Sequence, residues 1–406
     1  MQYDTIILGA GPAGLTAARH AALAAPATPA PPTKRRILIL DKAPRPGTKL
    51  LLAGGGKGNV TNRHVEISDY VGGKTAFAAH ALDRVPPELV LAELRNAKIP
   101  LEERDHGRIF CKTSARALLD ILLAQLPKES CTVRTNTPVT GITHADGLFT
   151  IQCGNAVFTA PRCIAATGSP AWPQCGADDS GARLISSLGH RIMPFRPALA
   201  PFIMPQDWPL NGLSGISAPV RIACDMPGTP AFEDDLLFTH KGISGPAVLQ
   251  ASCWWRKGTA LVIDFLPGAD ATALLDAATG KATPRSVFSR LLPAKLPVKL
   301  PDRLLDALLD PALATRRAAE LSRKQRTAIA DALHRHTVTP LRTEGMQKAE
   351  AAAGGIDTNE VDPITMQSKK VPGLFFCGEI LDITGRLGGY NLHWAWASAA
   401  AAALHS

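Results

Sequence analysis

The stretch Tyr3-Asp-Thr-Ile-Ile-Leu-Gly-Ala-Gly-Pro-Ala-Gly-Leu-Thr-Ala-Ala18 decides the fold. Its β-branched apolar start predicts a buried strand, its Ala-rich end predicts a helix, and between them Gly9, Gly11 and Gly14 stand in G-x-G-x-x-G spacing. Gly9 permits the tight turn, Gly11 carries no Cβ to block a pyrophosphate, and Gly14 lets helix and strand approach closely. The helix opens at Pro12 and Ala13, and the unpaired N–H groups of its first turn from Ala13 on, with partial positive charge, favour an anion. A second run, Arg36-Ile-Leu-Ile-Leu-Asp41, predicts a strand ending in an acid placed to bind a ribose diol, with Lys42 beside it. Strand, glycine turn, helix, strand and acid together predict a dinucleotide site in a doubly wound α/β domain.

Asp41 follows Gly14 by twenty-seven residues, where roughly twenty is usual for this arrangement. The excess is the stretch AAPATPAPPTK at 24–34. Its prolines cannot continue a helix, so it is expected to be an exposed loop that leaves the cofactor undisturbed.

A chain of 406 residues, 46% hydrophobic and 19% charged, is an ordinary globular composition with room for two or three cores. No apolar run reaches the roughly eighteen residues of a membrane span, and the N-terminus reads as a strand, so a soluble, cytoplasmic protein without a membrane partner is expected. The eight cysteines form no C-x-x-C pair, which fits neither a zinc site nor a disulfide framework. No metal site is predicted. The net charge is +9, and residues 281–336 carry twelve Lys/Arg against five acids, so +7 of the excess lies in that one segment. A local excess of this kind suits a polyanion such as nucleic acid, or serves only as a solubilising face.

Further along, Gly54, Gly55 and Gly56 are flanked by Lys49, Lys57 and Asn59. Gly58 stands after Lys57 where a phosphate loop needs Ser or Thr for magnesium, which excludes that reading. A loop wrapping an isoalloxazine fits the glycines and the flanking donors. The run from Arg162 predicts a buried strand ending in Thr167-Gly168, close to where the first glycine turn presents its ligand. Residues 194–269 predict a β-rich unit and 270–339 a basic helical one; neither repeats the G-x-G-x-x-G pattern. Residues 1–193 and 340–406 are read as the first part and the return segment of one FAD-binding domain. The return carries a strand ending in Gly378-Glu379, and a turn through Gly389, Tyr390, Asn391 and Leu392 into an Ala-rich helix. Glu379 can accept from ribitol hydroxyls, and the amides after Gly389 can face a flavin. Two cofactor segments bracketing an insertion specify FAD better than NAD.

The combination of G-A-G-P-A-G, L-L-A-G-G-G-K-G-N-V-T-N, L-L-F-T-H-K-G-I-S-G-P-A-V-L-Q, A-G-G-I-D-T-N-E-V and C-G-E-I-L-D-I-T-G-R-L-G-G-Y-N-L-H-W-A-W-A-S-A resembles the YhiN/BaiN family of flavoproteins, nearly end to end. The resemblance implies a Rossmann-like FAD-binding domain interrupted by a β-barrel-like domain and a small helical domain. It implies FAD contacts at Gly9, Gly11, Gly14, Asp41, Lys49, Gly54 to Gly56, Asn59, Gly378, Glu379 and Gly389 to Leu392. It also implies NAD(P)H-dependent reduction of a conjugated C=C bond, including dihydrouridine formation in 23S ribosomal RNA and reduction of steroid-like enones, or amine oxidation in some relatives. This chain departs at Gly58, where many relatives have Cys, and at Arg386, where close relatives have Trp. A mechanism that uses that Cys as proton donor is closed to it.

The expected enzyme passes hydride from NAD(P)H through FAD to an electron-poor carbon while an acid protonates the neighbouring one. His240, in a Gly-rich loop, is the expected acid, with Tyr390 and Lys241 in reserve. Ribosomal RNA is the expected partner, held by Arg316, Arg317, Arg323, Lys324 and Arg326. The alternatives are a small-molecule flavoenzyme and a non-catalytic, flavin-bound RNA-binding protein.

Overall fold

In the computed structural model of the chain, Thr5–Leu8 is the central strand of a five-stranded parallel sheet. Ile37–Leu40 and then Cys131–Arg134 lie on one side of it, Arg162–Ala165 and then Leu374–Phe376 on the other. Thr5–Leu8 and Ile37–Leu40 are buried throughout, as continuous apolar runs in a parallel sheet covered on both faces should be. The structure describes residues 2–24, 35–290 and 300–406. Most of the proline-rich stretch expected to be a loop, from residue 25 to 34, therefore lies outside the described residues.

Two units divide the chain: Met1–Pro197 with Glu350–Ser406, and Ala198–Ala349. In the first, the helix Pro12–Leu23 packs against the C-terminal helix Tyr390–His405. Both bury alanines, among them Ala17, Ala18, Ala399 and Ala402, and small side chains let the two backbones approach. Arg35 closes the pair, donating from one nitrogen to the carbonyls of Ala21 (3.2 Å) and Ser406 (2.9 Å). The meander Gly141–Ala145, Leu148–Cys153 and Ala156–Ala160 leads into the Arg162–Ala165 strand. A three-stranded antiparallel sheet, Asn59–Asn62, Arg108–Cys111 and Leu101–Arg104, supports the turn that opens the C-terminal helix: a Cβ on Gly389 would stand 2.3 Å from the Thr61 carbonyl oxygen.

The second unit holds a seven-stranded sheet whose pairs are all antiparallel. Its helices, from Ala271–Asp276 to Arg323–His334, lie in sequence between two neighbouring strands, Leu261–Asp264 and His336–Val338. The segments expected at 194–269 and 270–339 share one buried cluster: Phe238, Ile263 and Phe265 come from one, Phe288, Leu304 and Leu333 from the other. His334 Nδ1 lies 2.9 Å from Asp264, which ties the last helix to the sheet and raises the imidazole above its ordinary range.

Candidate cofactor site

A cleft opens in the first unit at the ends of its parallel strands, where two helices begin. The helix Pro12–Leu23 follows Gly11, and Tyr390–His405 follows Gly389; neither start has a side-chain cap or an acid in its first turn. Pro12, Ala13, Asn391 and Leu392 line the cleft, so two unneutralised helix N-termini meet in it. Gly9 has φ +107, and a Cβ there would stand 2.4 Å from the Ala166 carbonyl oxygen. A Cβ on Gly14 would stand 1.9 Å from the Gly9 carbonyl oxygen, whereas one on Gly11 would meet nothing within 4 Å. Gly9 and Gly14 are thus fixed by backbone contacts, and Gly11 keeps the mouth of the helix open. Thr167 also lines the cleft, but its hydroxyl is buried against Gly181 and has no protein partner.

Charged groups ring this opening. Asp41 accepts from the amides of Ala10 (2.6 Å) and Ala43 (2.8 Å), which holds its carboxylate at the strand end. Lys42 pairs with Asp178 at 2.5 Å. Lys49 donates to Glu379 at 2.7 Å, bridging 330 residues of sequence. Glu379 follows the strand Leu374–Phe376 in a turn that the C-terminal helix fixes: Gly378 donates its amide to Ser398 Oγ (2.9 Å), and Trp394 Nε1 donates to the Gly378 carbonyl (3.1 Å). Cys377 is fully buried at the strand end, and burial pushes its thiol far up, so it is inert packing.

Of the residues read from the sequence, Gly9, Gly11, Pro12, Ala13, Asp41, Lys42, Lys49, Thr167, Gly168, Gly378, Glu379, Asn391 and Leu392 all line the cleft. Gly14, Gly54, Gly55, Gly56, Asn59, Gly389 and Tyr390 do not. Gly14 acts behind the wall, as above. Asn59, with its amide oriented to satisfy its neighbours, accepts from the Gly389 amide (3.0 Å) and donates to the Ile109 carbonyl (3.0 Å); it braces the turn. Gly54 and Gly55 are exposed, and the amides of Gly56 and Gly58 donate back to the Ala53 carbonyl, closing the loop on itself. Gly58 is buried at φ +68. Sequence reasoning missed Thr48, Ser169, Cys175 and Glu350, which also line the cleft. Glu350 immediately precedes the buried Ala- and Gly-rich strand Ala351–Ile356, and a lone acid before such a run was the available signal.

The expected proton donors stand in different settings. Tyr390 is buried, with Arg386 donating to its hydroxyl (3.2 Å) and lying over its ring (5.1 Å to the centroid). Burial pushes the phenol up to about 12, so it stays neutral near pH 7. His240 and Lys241 belong to the second unit. His240 is exposed in the turn between Ala231–Phe238 and Gly242–Ser244, a turn closed by Thr239, whose amide donates to the Gly242 carbonyl (2.8 Å). Lys241 lies 3.6 Å from Glu344.

In the basic segment Arg316, Arg323 and Lys324 are exposed, while Arg317 is exposed beside Glu320 (3.6 Å). Arg326 corrects the expectation that all five meet a polyanion: its guanidinium pairs with Asp276 and donates to the carbonyls of Ala318 (3.2 Å) and Leu321 (3.1 Å). It is a tether inside the unit. No helix among the described residues is long and apolar enough to cross a membrane.

Residues 3–405 match the HI0933-like protein Rossmann domain. The chain is 35% identical over 404 residues to a ribosomal RNA dihydrouridine synthase of Escherichia coli strain K12, covering 99% of this chain and 97% of that one. It is 30% identical over 407 residues to a 3-dehydro-bile acid delta(4,6)-reductase of Clostridium scindens, covering 97% and 96%. Among solved structures, the FrdA chain of E. coli quinol fumarate reductase is similar at 17% identity with a TM-score of 0.48, over 100% of this chain and 69% of that one. An opened glycine turn, paired helix starts and an end-to-end family match coincide, and the chain belongs to the HI0933-like family of FAD-dependent oxidoreductases.

Proposed function

We propose that this protein uses NAD(P)H and FAD to reduce a conjugated C=C bond, and that its substrate is a uracil base of 23S ribosomal RNA, converted to dihydrouracil. The observation that carries the reading is the 35% identity across 99% of the chain to a relative named for that reaction. FAD, when bound, supplies a hydride chemistry that no side chain possesses. The cleft residues suit it. The two uncapped helix starts would face its pyrophosphate, Asp41 its adenosine ribose, and the Lys49–Glu379 pair its ribitol hydroxyls. Gly11 leaves room for it, since nothing lies within 4 Å of a Cβ there. His240 is the side chain we assign to deliver the proton, with Lys241 and Tyr390 behind it; a positioned acid of this kind contributes roughly 10²- to 10⁴-fold. Arg316, Arg317, Arg323 and Lys324 would neutralise RNA phosphates from the exposed face of the second unit.

The test is NAD(P)H oxidation by the purified protein with and without ribosomal RNA, together with dihydrouridine mapping in ribosomal RNA from a deletion strain. RNA-stimulated oxidation and loss of one dihydrouridine are expected. Unchanged dihydrouridine in the deletion strain would overturn the substrate. A second reading, a small-molecule enone reductase, is favoured by the similarity to the bile acid reductase. It predicts NAD(P)H oxidation that RNA leaves unchanged and an enone accelerates.

A further inference from the structure

Five charged side chains line the cleft: Asp41, Lys42, Lys49, Glu350 and Glu379. Four are engaged. Asp41 holds the amides of Ala10 and Ala43, Lys42 pairs with Asp178, and Lys49 pairs with Glu379. Glu350 makes no direct hydrogen bond or ion pair among the described residues, although its carboxyl shares the cleft with the Lys49 ammonium that Glu379 already neutralises. We propose that Glu350 is the proton-exchanging carboxyl of this cleft, taking up a proton when an anionic cofactor enters and releasing it when the cofactor leaves. This rests on reading the cleft as the FAD site.

Counting charge shows why Glu350 is the responsive group. Around Lys49 there is one ammonium for two carboxylates, and the closer pairing, at 2.7 Å, belongs to Glu379. Asp41 accepts from two backbone amides and Glu379 from Lys49, so both of these carboxylates are already engaged. Glu350 lines the cleft but its side chain remains exposed, so it is only partly dehydrated. Loss of hydration raises its carboxyl above the usual carboxylate range, and Lys49 pulls it partly back. A pyrophosphate adds negative charge to this space. The balance is simple: one proton passes from water to the Glu350 carboxylate as the anion binds, and returns to water when the anion leaves.

The protonated form of Glu350 should therefore favour the loaded protein, and FAD should be held more tightly as pH falls through the range where Glu350 titrates. Flavin release on serial dilution of the yellow protein, read from the rise in flavin fluorescence between about pH 5 and about pH 9, measures this. The parent should weaken by about tenfold from the acid to the alkaline end, the equivalent of roughly one pKa unit of coupling. Glu350→Gln, neutral throughout, should show a nearly flat profile and retain FAD about tenfold better than the parent at the alkaline end. Glu350→Asp, which keeps a carboxyl, should restore the slope. Identical pH profiles in the parent and Glu350→Gln, both retaining FAD, would overturn the assignment of Glu350 and leave the cofactor reading standing. Should Glu350→Gln fail to fold, a flat profile in the parent itself overturns the proposal and a slope shared by the parent and Glu350→Asp supports it. A parent protein that carries no flavin and binds none would overturn the cofactor reading, and this inference with it.

Discussion

Gly11 and Gly14 belong to one motif, yet their substitution should fail in opposite ways. A side chain at Gly14 would run into the Gly9 carbonyl oxygen, 1.9 Å from an added Cβ, so Gly14→Ala must push helix and strand apart. It should cost roughly 1–3 kcal/mol of stability, the usual range for overpacking. At Gly11 nothing lies within 4 Å, so Gly11→Val should fold and melt like the parent but lose its yellow colour on gel filtration. A Gly11→Val protein with full flavin absorbance would remove this turn from the cofactor site. His240 poses a different residue-level question, because it is exposed on a turn. His240→Ala should keep its flavin and its reduction by NAD(P)H, but form product roughly 10²-fold more slowly; equal turnover would exclude it as the acid. The glycine motif was legible in the sequence because its constraints are local ones of φ and missing Cβ. Glu350, Cys175 and Thr48 were not, because only tertiary structure brings them to one wall. The Gly54–Gly56 run was legible as a loop, but composition does not say which way a loop faces, and here the amides of Gly56 and Gly58 turn back on Ala53.

At the scale of elements, strand runs such as Thr5–Leu8 and Ile37–Leu40 could be read directly, since burial on both faces leaves an unbroken apolar signature. The strand ending in Gly-Glu was read only as a return to the first domain; the structure adds that Leu374–Phe376 pairs in parallel with Arg162–Ala165. Charge along the basic segment was equally plain as a sum, but a sum does not distinguish a free arginine from a tether. Arg326 sits at the buried side of the helix Arg323–His334, fastened to Asp276. Reversing it would break the unit and mimic a loss of RNA binding. The informative variant is therefore Arg316→Glu, Arg323→Glu and Lys324→Glu together, at exposed positions. If these side chains meet phosphates, counterion release makes affinity fall with salt by roughly 0.7 to 0.9 log units per neutralised phosphate. The triple variant should bind RNA more weakly and with a shallower salt slope, at unchanged flavin content, because the cleft is lined only by residues of the other unit. Equal slopes in variant and parent would mark a solubilising face and favour the small-molecule reading.

At the scale of the whole molecule, one buried histidine gives a pH response that can be isolated. His393, fully buried on the C-terminal helix, has its Nδ1 2.9 Å from Thr61 Oγ1, which joins that helix to the strand Asn59–Asn62. Burial, the largest influence, lowers its pKa to about 4. In the unfolded chain the same imidazole titrates near 6.5. As pH falls the unfolded chain therefore takes the proton first. The contribution of His393 is complete above about pH 6.5, declines between there and about pH 4, and amounts to on the order of 3 kcal/mol over that interval. Asp69 and Asp382 act in the opposite sense: burial raises both carboxyls, so the folded chain takes their protons first and gains stability as pH falls. Those acids are common to the parent and to a His393→Gln variant, so the difference between the two isolates the histidine. Urea midpoints measured from about pH 7 to about pH 4 should fall steeply in the parent and clearly less in His393→Gln, with the curves converging toward the acid end. The variant should start lower at neutral pH, because it alters the buried contact between His393 and Thr61. Parallel curves across the whole range would mean that His393 carries none of the acid sensitivity, and that the cost of charging this helix is met elsewhere in the fold.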